Sequence, residues 1–314
     1  MAKKKSTTPP ETLLLLPKWP SSAPIVDTHT HLASTFEAYR TRYKDHATVF
    51  DMVRAFYHNT HVEALVDVWC EAPVRTLWRE FADSALTPED RTLKWGGIDY
   101  WFVMGVHPHE AQHYTDDIEN DIIAAMSHPR CVGWGEMGLD YHYDNSPRDI
   151  QRSVFRRQLV HAVKLGKPLT IHTREADDDT EMILKDLVPK DHKIHIHCFT
   201  DSPEFAQRLL DYFPNLYIGI TGVITYATNT DTSTVIKNMM PSSLRILLET
   251  DAPYMVPANL YNSIPELKGK RLPISHSAMI PWTADFVAGL TEGKWDSERV
   301  MIEARENAKR VYGI

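Results

Sequence analysis

The feature that most narrows what this chain can become is an alternation. Eight short apolar runs, most followed by a stretch of helical spacing, are spread over roughly 290 residues. The runs occupy 25–31, 62–69, 100–104, 131–134, 168–171, 193–197, 216–220 and 244–248. Strands that alternate with helices predict parallel pairing, and eight of them predict a (β/α)8 TIM-type barrel, an α/β fold whose site forms at the carboxyl ends of the strands. Between the runs, Phe50, Val53, Phe56 and Tyr57 recur at helical spacing. Residues 71–97 read as a helix and then a loop, with a helix start at Thr87-Pro88-Glu89 and a break at Gly96-Gly97. The clearest helix follows Ser146, expected as its N-cap with Pro147 at the first helical position, and Gly166 and Pro168 close it. Two terminal helices are expected over 280–290 and 297–311.

The runs end in an unusual set of residues. Ile25-Val-Asp-Thr-His-Thr-His31 places Asp27, His29 and His31 at alternate positions, so on a strand they share a face, with the imidazoles roughly 7 Å apart. Glu136 follows the fourth run, His172 the fifth and Asp251 the eighth, while His197 ends the sixth. Any one of these has a structural explanation, such as a buried His bonded to a carbonyl or a carboxylate at a helix N-terminus. Six from five strand ends point instead to a bound cation. Imidazole and carboxylate donors suit Zn²⁺ or Mn²⁺, and a more oxygen-rich shell suits Mg²⁺.

The ordered motifs Asp27-Thr-His-Thr-His31-Leu32, Gly105-Val-His-Pro-His109, Gly135-Glu-Met-Gly-Leu-Asp140, His172-Thr-Arg174-Glu-Ala176, His197-Cys-Phe199, Glu249-Thr-Asp-Ala-Pro253 and Glu306-Asn-Ala-Lys resemble the TatD-like metal-dependent hydrolases. That resemblance covers about residues 24–313. It implies a TIM-type barrel with two divalent metal ions and a deoxyribonuclease or 3′–5′ exonuclease activity. His29, His31 and Asp251 would hold one ion, His172 and His197 the other, and Glu136 would bridge them. Asp251 is the expected general base, and Arg174 is expected on a phosphate oxygen or in a salt bridge across the barrel mouth. His107, His109 and Tyr254 are expected at the substrate, and Asp140 is expected to orient a ligand rather than to bind the metal. His195 is expected in the core, and Cys198 on the opposite face from His197, against a helix.

Composition bounds the rest. Three widely spaced cysteines without a C-x-x-C pair argue for a reducing, intracellular setting, cytoplasmic or nuclear. The formal net charge of −8 opposes general adhesion to nucleic acid, although bound cations would invert the sign locally. No run suits a membrane span. Residues 1–22, with a lysine triplet, are expected as a flexible leader to a single domain over 23–314. DNA ends are the expected partner, and a monomer is compatible with the sequence. The chain departs from the resemblance after Phe199, in the long span between the first and third runs including 71–98, and over 258–280. These are loops expected to shape the substrate pocket, so a hydrolase of small esters, amides or phosphoesters is the alternative chemistry. A docking protein with a vestigial site is opposed by the intact set of six ligands.

Overall fold

The computed structural model describes residues 9–239 and 244–314; the lysine triplet at 3–5 and residues 240–243 lie outside the described residues. In chain order the elements are β1 (Ile25–Thr30), α1 (Leu32–Arg40), α2 (Val49–Tyr57), β2 (Val62–Trp69), α3 (Leu77–Asp83), α4 (Pro88–Trp95), β3 (Asp99–Met104), α5 (Asp116–Ala125), β4 (Cys131–Asp140) and α6 (Arg148–Lys164). They continue with β5 (Leu169–Arg174), α7 (Asp177–Leu187), β6 (Ile194–Ile196), α8 (Pro203–Tyr212), β7 (Leu216–Ile220), α9 (Asp231–Met239), β8 (Ile246–Leu248), α10 (Leu260–Ser263), α11 (Ile280–Leu290) and α12 (Ser297–Tyr312). All eight strands pair in parallel and in sequence order. Asp251 N–H donates to the His29 carbonyl and His31 N–H to that of Ala252, both at 2.9 Å, so the segment after β8 meets the end of β1 and nearly closes the barrel.

Strand alternation sorts the side chains into two cores. Ala64, Val66, Val68 and Cys70 face inward with Val26, Val103, Tyr217 and Leu247, whereas Leu65 and Trp69 pack outward against the helices. The inner core also takes in Ala308, Val311 and Tyr312, so the last turns of α12 plug the barrel floor. Asn307 pins that helix by donating to the carbonyls of Leu244 and Ile246 at 2.7 and 2.9 Å. Among the described residues no helix is long and apolar enough to cross a membrane.

Several expectations change here. The fourth strand runs to Asp140, and Glu136 lies within it. Gly138 has φ 150° and sits against the backbone of His172, an approach no side chain would permit, so the glycine keeps β4 against β5 beyond the apolar run. Ser146 is not the cap of α6: its hydroxyl donates to the His109 carbonyl at 2.8 Å and accepts from Gln112 N–H, tying the strand-three loop to the start of the helix. Residues 71–97 hold two helices rather than a helix and a loop. The second of these, α4, has its N-terminus capped by the Thr87 hydroxyl, which accepts from Asp90 N–H, and it ends at Gly96 with φ 66°. Residues 9–22, expected to be flexible, pack on the barrel. Leu14 is fully buried, the Trp19 ring sits 4.9 Å edge-on to Trp282, and the Leu14 carbonyl accepts from His276 Nε2 at 3.0 Å. The apolar Leu13–Leu16 run, too short for a membrane, is long enough to anchor this strap.

Candidate metal centre

The carboxyl ends of the strands open into a cavity of about 750 Å³. Asp27, first of the alternating residues on β1, does not reach it. Its carboxylate is fully buried between β1 and the segment after β8, accepting from Thr250 N–H, Thr250 Oγ1 and Ser277 Oγ, and burial pushes its pKa up to about 7. The effect is to clamp the segment carrying Asp251 beside the one carrying His29 and His31.

Those three residues converge. His29 Nε2 and His31 Nε2 are 3.3 Å apart, and Asp251 Oδ1 is 3.3 Å from His31 Nε2 and 3.7 Å from His29 Nε2. Four donors at about 2.1 Å from a zinc ion are separated by about 3.4 Å, so this triad has the spacing of a coordination shell. Burial, with the neighbouring His197, lowers the His29 pKa to about 4; burial also opposes charge on His31, but Asp251 and Glu136 prevail and raise it to about 9.

Glu136 stands at the centre with its two oxygens divided. Oε2 faces His29 at 3.5 Å and His31 at 3.8 Å; Oε1 faces His172 Nδ1 at 2.9 Å, His197 Nε2 at 3.0 Å and His107 Nε2 at 3.3 Å. Burial opposes its charge, yet the imidazoles, His197 and His107 foremost, hold it well below the usual carboxylate range. Two further triads, His29–Glu136–His197 and His107–Glu136–His172, bring their donor atoms within 4.8 Å of one another. His107, expected at the substrate, is therefore turned into the cluster while also lining the cavity.

Asp140, the last residue of β4, sits behind this group. Its Oδ2 lies 3.1 Å from His172 Nε2 and 3.0 Å from His109 Nε2, and its Oδ1 accepts from the backbones of His142 and Tyr143. Burial disfavours its charge, but those partners hold its pKa far down. Both nitrogens of His172 thus meet carboxylates, which fixes the plane of the ring. Arg174 ends β5 with its guanidinium 5.0 Å above the Tyr143 ring, and no carboxylate among the described residues pairs with it. Tyr254 lines the cavity and is 60% exposed.

Two residues, Glu249 and Cys70, escaped the sequence reading, and a third, Cys198, lies elsewhere than expected. Glu249 is fully buried, with Oε1 3.6 Å from His197 Nδ1 and accepting from Cys198 N–H at 2.5 Å. Its signal was present, since Glu249 and Asp251 are two apart on one strand end. Cys70, ending the inward row of β2, lies with Sγ 3.7 Å from Glu136 Oε2, and burial beside that anion pushes its thiol pKa well up. Cys198, expected against a helix, lines the cavity instead; its φ of 43° breaks the alternation after β6. His195 is fully buried in the core.

A parallel eight-stranded barrel with clustered imidazoles and carboxylates at its carboxyl mouth defines a metal-dependent hydrolase of the TIM-barrel class. More narrowly, the chain belongs to the TatD related DNase family, whose model matches residues 26–313. The 3'-5' RNA nuclease TATDN2 of Homo sapiens is 35% identical over 292 residues, 92% of this chain and 35% of that protein, so the chain spans about a third of that relative's length. The 3'-5' ssDNA/RNA exonuclease TatD of Pantoea ananatis is 32% identical over 222 residues, 69% of this chain and 79% of its own. The crystal structure of a TatD family hydrolase from Entamoeba histolytica has a TM-score of 0.71 at 19% identity, covering 93% of this chain and 99% of that one, and shares the fold.

Proposed function

We propose that this chain is a divalent-metal-dependent nuclease that removes nucleotides from the 3′ ends of single-stranded DNA or RNA, with two metal ions held at the barrel mouth. The observation that carries the reading is the division of Glu136, one oxygen toward His29 and His31 and the other toward His107, His172 and His197. A carboxylate so placed suits a bridge between two ions, one held by His29, His31 and Asp251, the other by His172 and His197 with His107 beside them. The relatives' names, an RNA nuclease and an ssDNA/RNA exonuclease, support the substrate class.

Charge in the cavity argues the same way. Among the described residues Arg174 is the single Arg or Lys lining it, against Glu71, Glu110, Glu136, Asp140, Asp231 and Asp251. A phosphodiester could not settle among six carboxylates without cations to neutralise them. Bound divalent ions supply an activated water and stabilise charge on a phosphoryl oxygen. The chain's own residues do the remainder. Asp251 takes the proton of the attacking water on its second oxygen. Arg174 holds a non-bridging phosphate oxygen, and Tyr143 and Tyr254 offer faces on which bases stack without regard to sequence. His109 and Asp140 keep His172 in register. The cavity volume is that of a site for one small ligand, a terminal nucleotide in this reading.

The test uses single-stranded DNA and RNA labelled at the 5′ end, incubated with chelator-stripped protein refilled with Mg²⁺, Mn²⁺ or Zn²⁺. Stepwise shortening from the 3′ end that requires metal and is lost in Glu136→Gln is the expected result. Uptake of two metals with both oligonucleotides left intact would refute the substrate class and favour small esters or amides.

A further inference from the structure

Beneath the cluster runs a buried polar chain that the proposed chemistry does not use. Tyr312, at the end of α12, sends its ring up through the barrel floor past Gly133. Its hydroxyl lies 2.7 Å from Thr170 Oγ1 on β5 and 2.8 Å from His195 Nδ1 on β6. The other nitrogen of that imidazole, Nε2, is 2.8 Å from Glu249 Oε2, an ion-pair distance outside hydrogen-bond geometry, and among the described residues neither atom has a hydrogen-bond partner. Glu249 then reaches the His197 segment through Oε1, which accepts from the backbone N–H of Cys198 and lies 3.6 Å from His197 Nδ1, beyond hydrogen-bond length. Thr170, His195 and Glu249 are 0% exposed, and Tyr312 is 7% exposed.

The contacts fix an order. An imidazole with its hydrogen on Nε2, toward the Glu249 carboxylate, leaves Nδ1 to accept from the Tyr312 hydroxyl, which then accepts from Thr170. Gly219 on β7 provides the space. A Cβ there would come within 2.6 Å of His195 Nε2 and would strike the Glu249 carboxylate. An apolar barrel floor would pack without any of these groups, and buried polar groups are costly unless each is satisfied.

We propose that Tyr312 is a positioning residue of the metal centre: through His195 it fixes the Glu249 carboxylate, which sets the ring of His197 and the strand end that carries it. The inference rests on reading the cluster as a metal centre. Groups that orient a metal ligand from behind tune affinity for the ion more than they tune contact with substrate.

The experiment titrates Zn²⁺ and Mn²⁺ calorimetrically into the stripped full chain, wild type and Tyr312→Phe, with circular dichroism to establish folding. The expected result is about tenfold weaker binding at one of the two sites, in the range seen when partners of metal ligands are removed. Nuclease activity should return toward wild type at raised Mn²⁺, with KM for the oligonucleotide unchanged at saturating metal. Wild-type affinity in folded Tyr312→Phe overturns the inference, even if the melting temperature falls, because a packing role would lower stability alone. Should Tyr312→Phe not fold, Thr170→Val keeps the strand's shape and removes only the hydroxyl that orients Tyr312; a smaller weakening in the same direction is expected, and none overturns the inference. Failure of the wild type to take up metal would instead refute the metal centre itself.

Discussion

His276 offers a stability prediction whose size follows from its surroundings. The ring is 1% exposed, 5.0 Å from Phe56 and 5.9 Å from Tyr57, and Nε2 donates to the Leu14 carbonyl. Burial lowers its pKa from 6.5 to about 4. A histidine kept neutral in the folded state contributes stability that is fully present above its unfolded pKa and is lost as pH falls toward the folded value. By about pH 5 the unfolded ring is almost fully charged while the buried ring is not, which removes about 2 kcal/mol at 1.36 kcal/mol per pH unit. An unfolding entropy of about 2.1 cal/mol/K per residue makes 1 kcal/mol worth about 1.5 °C for 314 residues, so this term lowers Tm by about 3 °C. The assay compares Tm at about pH 7.5 and about pH 5 in chelator, for wild type and for His276→Gln, which retains a donor for Leu14 but does not titrate. The variant should lose about 3 °C less on acidification. Equal losses in the two proteins would refute the argument.

Metal binding should be visible in stability as well as in turnover. Zn²⁺ or Mn²⁺ at a hundredfold excess over Kd adds about 2.7 kcal/mol and raises Tm by about 4 °C in a scanning calorimeter, and chelator should reverse it; an unchanged Tm counts against the site. Arg174→Ala should raise KM for oligonucleotides about tenfold with a smaller change in kcat, since the lost contact is made in ground and transition states alike; steady-state kinetics in which kcat alone falls would place Arg174 elsewhere. Gly138→Ala should fail to give a folded, metal-binding protein by circular dichroism and calorimetry, because its Cβ would land on the His172 carbonyl at a φ of 150°. A native melting curve for that variant would contradict the packing of β4 on β5.

The sequence carried the barrel through the spacing of its apolar runs, and much of the cluster through residues at strand ends. His29 and His31 were legible because a two-residue period survives on any strand. The limits of that rule account for what was missed. Cys198 follows His197 by one position, and alternation sends it outward, but a left-handed φ turns it into the cavity. Glu136 reads as lying at the end of the fourth run, because glycines interrupt the apolar pattern there, although those glycines let the strand continue against β5 to Asp140. His107 sits beyond the end of β3, on a turn whose direction is set by the Gln158 side chain, which bonds the Val106 backbone from α6. No local pattern encodes a contact that spans 52 positions. Glu249 and Asp251 share a face, yet one lies deeper than the other, and depth cannot be read from periodicity.

The strap formed by residues 9–22 bears on where this folded unit begins. The family match starts at residue 26, at the first strand, and invites an expression boundary there. Such a cut would remove Leu14 from a fully buried seat, forfeiting about 1.5–3 kcal/mol of apolar burial, and would strip His276 of its carbonyl and Trp282 of Trp19. It would also uncover an apolar groove beside Met301 and Ile25, the first residue of β1, where freshly exposed surface invites self-association. The homologous region and the packed unit therefore differ in this chain, and a truncation drawn by similarity alone would keep the candidate metal ligands while exposing apolar surface.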